Sequence, residues 1–416
     1  MTHRRTVVRH APGKLFIAGE YAVVEPGTPA ILVAVDRHVT VTVSDSGPGP
    51  GSGHGHDPDS GPGPGSGPGS GSGHGHDPGH GSGPGSGALS GEGGVVITSD
   101  LAPYRARWQW RGDRLGTGDA DDGHRARGAL AHVVSAIEIV GRLLVERGLA
   151  VPSLSVSVSS RLHEGGTKFG LGSSGAVTVA TVDAVTSFCG LDLSPEARFR
   201  LALLATAGID ARASGGDLAA STWGGWIRYR APDRAAVLDL AGRRGVEAAL
   251  REPWPGFSVR RLPPPQGLVL EVGWTGKPAS TAALVAGLDR RRAWRGSASH
   301  LRFVATTTDC VDASTAALER GDGPDLLRRI RRARQELARL DDEVGLGIFT
   351  TGLTALCDTA EAVGGAAKPS GAGGGDCGIA LLDAEAAPAI AGLRERWAAA
   401  GVRHLPIRPT MERSEE

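Results

Sequence analysis

The chain has 416 residues, enough for two domains of ordinary size, and it balances 45 lysines and arginines against 45 aspartates and glutamates. With no net charge to draw it to nucleic acid or to an acidic membrane surface, the composition points to small-molecule partners and excludes a broad electrostatic binder. The opening MTHRRTVVRH lacks the apolar core of a secretion signal, and no window reaches the roughly 18 apolar residues of a membrane span, so a cytoplasmic protein is expected. Four cysteines (Cys189, Cys310, Cys357 and Cys377) stand far apart without CxxC spacing and read as reduced, mostly packed thiols. Nothing in the composition fixes an oligomeric state.

In chain order, apolar alternation predicts strands at Thr6–Arg9, Lys14–Ala18, Ile31–Val35 and His38–Asp45. From Gly47 to Gly94, 21 of 48 residues are glycine and eight are proline. Such a stretch cannot bury enough apolar surface to offset its ordering entropy, so 46–94 is expected to be a disordered insert. It carries HGHDP twice, at His54–Pro58 and His74–Pro78, and its five histidines suit a solvated linker better than a metal site. The strand-like Gly94–Asp100 beyond it shows that the insert interrupts one sheet, which the slow growth of loop-closure entropy allows. Strands follow at Tyr104–Arg111, Ser153–Ser159 and Trp226–Tyr229, with helices over about Ala126–Glu146 and Val177–Phe188. A polar, proline-bearing stretch after Arg230 divides the chain into domains at 1–230 and 231–416. In the second, strands Ser258–Arg261 and Gly267–Val272 precede helices near Thr281–Leu288, Ser299–Glu319 and Asp325–Glu343. A closing helix–strand–strand–helix pattern includes Gly378–Leu382 and Ala386–Ala399.

Lys168–Ala176, KFGLGSSGA, places a glycine–serine turn where a strand feeds a helix. Unpaired backbone N–H groups at the positive end of a helix dipole form a phosphate site there. No Lys-Ser/Thr pair closes the turn, so it is not a P-loop, and taken alone it reads equally as a tight turn with serine caps. Two further glycine-bearing motifs flank it in sequence: APGKLFIAGEYAVV (Ala11–Val24) and KPSGAGGGDCGIALL (Lys368–Leu382). Three such motifs in this order resemble the GHMP kinase superfamily, which includes galactokinase, homoserine kinase and mevalonate kinase. With SGGDLAASTWGGW (Ser214–Trp226) and GWTGKPAST (Gly273–Thr281), the chain is similar to the phosphomevalonate kinase branch over nearly its whole length outside the insert.

That resemblance implies an α+β fold of two domains: a ribosomal-S5-like N-terminal half, a ferredoxin-like C-terminal half, and an active site in the cleft between them. It implies ATP-dependent phosphorylation of 5-phosphomevalonate in the mevalonate pathway, with ATP as co-substrate and Mg²⁺ accompanying it. The nucleotide phosphates would lie against Lys168, Gly170, Leu171, Gly172, Ser173, Ser174, Gly175 and Ala176, with Ser174 offering a hydroxyl to Mg²⁺ or simply capping the helix. Lys14, a charge in an otherwise apolar strand, would stand beside the transferred phosphoryl group and pair with Asp217, the match to the family's catalytic aspartate. Asp217 also suits a helix N-terminus. The acceptor would meet Lys14, Glu20, Tyr21, Ser280, Thr281, Gly373 and Gly374, with Lys277 and Arg37 as further cations, although Ser280 and Thr281 serve equally as helix caps and residues 371–378 as a strand-to-strand turn. Cys377, beside the third motif, reads as a packed thiol. Mevalonate kinases carry a metal-binding glutamate eleven residues before the aspartate; here that position is Thr206, which argues against the alcohol-phosphorylating sister. A non-catalytic ligand sensor on the same fold is the other alternative, and the presence of Lys14, Ser174 and Asp217 weighs against it.

Overall fold

The computed structural model describes residues 5–45, 94–100, 102–116, 127–279, 284 and 294–410. The insert, most of the helix expected near Thr281–Leu288, and Ser280 and Thr281 lie outside them.

The N-terminal part is built on a sheet whose spine is the long strand β2 (Pro29–Asp45), paired along most of its length with β1 (Thr6–Ala18). What the alternation broke into four strands is two. β1 remains continuous through a bulge between Pro12 and Lys14, and β2 runs on past Asp36. Next come β3 (Gly94–Ser99), β4 (Ala102–Arg111), β5 (Arg114–Gly116), helix α1 (Ala131–Glu146) and β6 (Leu154–Ser160). A small hairpin, β7 (His163–Glu164) and β8 (Thr167–Lys168), leads to helices α2 (Ser173–Phe188), α3 (Pro195–Ala207) and α4 (Gly216–Trp223), and then to strand β9 (Trp226–Arg230). After α5 (Arg234–Arg244) and α6 (Val246–Arg251), β10 (Ser258–Leu262) completes the order β10-β9-β2-β6-β3-β4-β5. The strands on either side of the insert, β2 and β3, therefore share one sheet, separated by β6. The break expected at 230 falls inside this sheet, because β10 pairs with β9 from Ser258↔Arg230 to Leu262↔Trp226.

Helix α2 runs behind β1 and β2 and is buried on nearly every side, which explains an apolar sequence with no polar stripe. Its threonines stay satisfied locally: Thr181 and Thr186 donate to the carbonyls of Val177 and Val182, both at 2.7 Å.

The second domain contains β11 (Leu268–Trp274), the long antiparallel pair α7 (Ala298–Arg320) and α8 (Gly323–Val344), α9 (Thr351–Ala362), β12 (Ala366–Pro369), β13 (Cys377–Asp383), α10 (Ala387–Ala399) and β14 (Arg403–Leu405). Its sheet order, β12-β13-β11-β14, is fully antiparallel and is that of a split βαβ ferredoxin-like unit, as expected. The chain then returns to the first sheet: Asp36 N–H donates to Arg408 O and Thr410 N–H to Ala34 O, each at 2.9 Å. All four cysteines are free, and among the described residues no helix is long and apolar enough to cross a membrane.

Candidate active site

A cleft of about 460 Å³ opens between the two domains. Its N-terminal wall is formed by the end of β1, the starts of α1, α2 and α4, and the turn after α3. The opposite wall is formed by Pro278, Ala279, Gly371, Ala372 and Asp376.

Helix α2 begins at Gly172, whose left-handed backbone (φ 76°) turns the chain from β8 into the helix. No side chain caps it, so the capping role open to Ser173 and Ser174 is not taken, and both serines line the cleft. The first helical bond runs from Ala176 N–H to Gly172 O at 3.0 Å, leaving the N–H groups of Gly172 to Gly175 without intrahelical acceptors. Ala176 has spent its N–H on the helix and is fully buried, so it leaves the expected phosphate set. Leu171 takes part through its backbone: its carbonyl receives Lys14 N–H at 2.8 Å, while its side chain is in the core.

The bulge in β1 makes that contact possible by turning the Lys14 amide away from β2. Lys14 is only 8% exposed; its Nζ donates to Gly170 O at 3.3 Å and lies over the Phe16 ring. Asp217, in the first turn of α4, accepts from Leu218 N–H through Oδ1 at 3.0 Å. The packing locates its carboxylate: a Cβ placed on Gly175 would sit 2.5 Å from Asp217 Oδ2. One placed on Gly172 would sit 2.9 Å from Lys14 Cε and 3.5 Å from Asp217 Cβ. Lys14, the serine turn and Asp217 thus meet around two glycines. Lys14 and Asp217 do not form the expected ion pair, because the ammonium is turned to Gly170 O instead.

Other expected residues are placed differently. Glu20 reaches the cleft but is 3% exposed and ion-paired to Lys368, which is fully buried and also donates to Pro369 O at 2.7 Å. The Glu20 carboxylate is therefore committed to a partner from the second domain. Tyr21 likewise donates its hydroxyl to Ala372 O at 2.5 Å, and burial pushes its phenol pKa up. Gly373 and Gly374 pack against the Gly347–Ile348 backbone, while the third motif faces the cleft through Gly371, Ala372 and Asp376. Lys168 lines the cleft; Arg37 instead stacks over Phe169, 4.9 Å from the ring centroid, and Lys277 exposes its side chain. Cys377 is packed as expected, its Sγ donating to Phe169 O at 2.8 Å, with the thiol pKa raised by burial.

Four further groups stand at or beside the cleft without having been expected there. Lys368 gave the same signal as Lys14, a lone charge in a short apolar strand. Asp376 stood inside a quoted motif. His132, whose pKa burial lowers against the opposing pull of Asp217, and Arg212, which pairs with Asp210 at 3.0 Å, line the cleft without any local pattern to mark them. Thr206 also lines it, 7% exposed, with a buried hydroxyl that has no hydrogen-bond partner among the described residues.

The family model of the GHMP kinases N terminal domain matches residues 131–225, and that of the GHMP kinases C terminal domain matches 314–399. A phosphomevalonate kinase of Streptomyces sp. (strain CL190) is 65% identical over 411 residues, 99% of each chain. A mevalonate kinase of Thermococcus gammatolerans is 30% identical over 62% of this chain and 67% of its own length. Among solved structures, the Lin0012 protein of Listeria innocua superposes with TM-score 0.78 at 27% identity, covering 99% of this chain and 100% of its own. Streptococcus pneumoniae phosphomevalonate kinase, in complex with phosphomevalonate and AMPPNP, gives 0.74 at 23% identity over 97% and 100%.

Proposed function

The chain belongs to the phosphomevalonate kinases of the GHMP kinase superfamily, and from that premise we infer that it transfers the γ-phosphoryl group of ATP to 5-phosphomevalonate, yielding 5-diphosphomevalonate and ADP in the mevalonate pathway. The observation that carries this reading is the meeting of Lys14, the uncapped start of α2 and Asp217 around Gly172 and Gly175.

Each group has a task in that reaction. A phosphoryl transfer asks for positioning and charge neutralisation more than covalent help. Backbone N–H groups of Gly172 to Gly175, at the positive end of a fully packed helix, hold the nucleotide phosphates without any side-chain rearrangement. Lys14, fixed at its own amide by Leu171 O, carries its charge to the point where two anions must approach. The acceptor is a phosphomonoester, largely doubly ionised at neutral pH because its second pKa is about 6. Its oxygen attacks the γ-phosphorus and the bond to the bridging β–γ oxygen breaks, so little proton removal is needed. Asp217, whose carboxylate stands against Gly175 and is not paired with Lys14, therefore works by orienting the acceptor rather than as a base. Lys168 supplies further positive charge along the same wall, while the charge of Arg212 is balanced there by Asp210.

Mg²⁺ belongs to this reading as an ion that arrives with the nucleotide. Among the described residues no cluster of three or more histidine, cysteine or acidic side chains could hold a metal ion alone, which suits a cation bound mainly by phosphates and water. The donor that fits it is the Ser174 hydroxyl, which is exposed in the cleft. When bound, it would neutralise charge on the transferring phosphates. The packed, free thiols and the small-molecule chemistry accord with a cytoplasmic enzyme.

The test is ADP release with mevalonate, 5-phosphomevalonate and 5-diphosphomevalonate offered separately. Turnover is expected with 5-phosphomevalonate. Turnover with mevalonate alone would overturn the acceptor, and binding without ADP release from any of the three would support a ligand sensor.

A further inference from the structure

Asp376 closes a run of four residues with left-handed backbone: Gly373 (φ 71°), Gly374 (φ 73°), Gly375 (φ 145°) and Asp376 itself (φ 53°). Glycine adopts such angles without steric cost, whereas a residue with a Cβ is strained there. A fourth glycine would be the easiest solution for the backbone, so the carboxylate has a task that outweighs the strain.

Its contacts show what that task is. Asp376 N–H donates to Lys277 O at 2.7 Å, and its Oδ1 accepts from Ala279 N–H at 3.0 Å. Among the described residues, both backbone bonds that fix Lys277 and Ala279 go to Asp376. Its own carbonyl accepts from Thr275 N–H at 3.0 Å. The other carboxylate oxygen, Oδ2, is turned to the phosphate turn, 2.6 Å from where a Cβ on Gly170 would lie. Burial raises the Asp376 pKa, opposed by the Ala279 N–H and by the charge of Lys14, so the carboxylate stands within the field of the transfer site. One side chain thus touches the nucleotide side of the cleft and ties down the opposite wall, where Pro278 and Ala279 line the cleft.

We propose that Asp376 is a positioning residue for the acceptor: it tethers the Lys277–Ala279 segment against the phosphate turn and so sets where 5-phosphomevalonate sits relative to ATP. The proposal rests on the acceptor assigned above. The nucleotide turn does not depend on this tether, since Leu171 O is held by Lys14 and Phe169 O by Cys377.

Two variants separate the tether from the backbone. Asp376→Gly relieves the φ strain and removes the carboxylate; Asp376→Asn keeps an oxygen that can accept from Ala279 N–H. Hydrogen exchange at Ala279 in the ligand-free protein reads the tether without any substrate: protection is expected to fall in Asp376→Gly and persist in Asp376→Asn. In steady-state kinetics, Asp376→Gly should raise KM for 5-phosphomevalonate by roughly tenfold or more, about the factor for one lost hydrogen bond to a charged group, with KM for ATP within about threefold and the melting temperature unchanged or higher. Asp376→Asn should recover most of the acceptor KM. Equal increases in both KM values, an unchanged acceptor KM in Asp376→Gly, or an Asp376→Asn variant as impaired as Asp376→Gly would each overturn the tether. A wild-type enzyme inactive on 5-phosphomevalonate would instead refute the acceptor, leaving the exchange result to judge the tether by itself.

Discussion

Asp217 divides its carboxylate between its own helix and the transfer site, one oxygen on Leu218 N–H and the other against Gly175. If it orients charge instead of removing a proton, Asp217→Asn should lower kcat by roughly 100- to 1,000-fold, the scale of losing one electrostatic contact in a transition state. Measured across neutral to alkaline pH, the residual rate should stay flat, since the acceptor is already ionised. A residual rate climbing about tenfold per pH unit would identify Asp217 as a true base. Lys14 and Asp217 were legible in the sequence because each is a lone charge among apolar or small residues. Their mutual geometry was not, because the lysine's reach is decided by a bulge in β1 and a carbonyl from a segment far along the chain. Glu20 shows the opposite failure: its motif position was right, but its buried partner Lys368 comes from 348 residues away and commits the carboxylate.

The start of helix α2 is the element on which phosphate binding depends, and its glycines are there for close approach as well as for turning. Gly175 lies inside the helix, where alanine would ordinarily favour the helix by about 1 kcal/mol. Here the added methyl would meet Asp217 Oδ2 at 2.5 Å. Gly175→Ala is therefore expected to melt near the wild-type temperature while kcat falls by roughly tenfold or more. Unchanged turnover would show that the aspartate and the turn are not in contact. Strong periodicity made the long helices α7 and α8 readable to within a residue or two. Helix α3 went unread although Ser194 caps it and Pro195 stands in its first turn. From Phe199 onward every residue of it is buried, so no polar stripe separates it from its surroundings.

At the scale of the whole molecule, the first and third motifs are fastened together across the domains. Ser370 Oγ joins both the N–H and the carbonyl of Phe16, Tyr21 joins Ala372 O, and Lys368 joins Glu20. Removing one member of a fully buried ion pair strands the other, so Lys368→Met should destabilise the protein by about 3–5 kcal/mol. The double variant Glu20→Gln with Lys368→Met should regain most of that in denaturant unfolding; an additive or greater loss would show that the pair is not a coupled unit. The two-domain plan was visible in the order of the motifs, but the boundary was not. β10 and the closing segment around Arg408 return to the first sheet through non-local pairing that no local pattern announces. The central claim is that one inter-domain cleft brings nucleotide and acceptor phosphates together at Lys14. A crystal structure with a non-hydrolysable ATP analogue and 5-phosphomevalonate tests it most directly. The account predicts the nucleotide phosphates on the N–H groups of Gly172 to Gly175 and the acceptor phosphate beside Lys14 and Asp217. A nucleotide bound elsewhere, or an acceptor phosphate out of reach of Lys14, would contradict it.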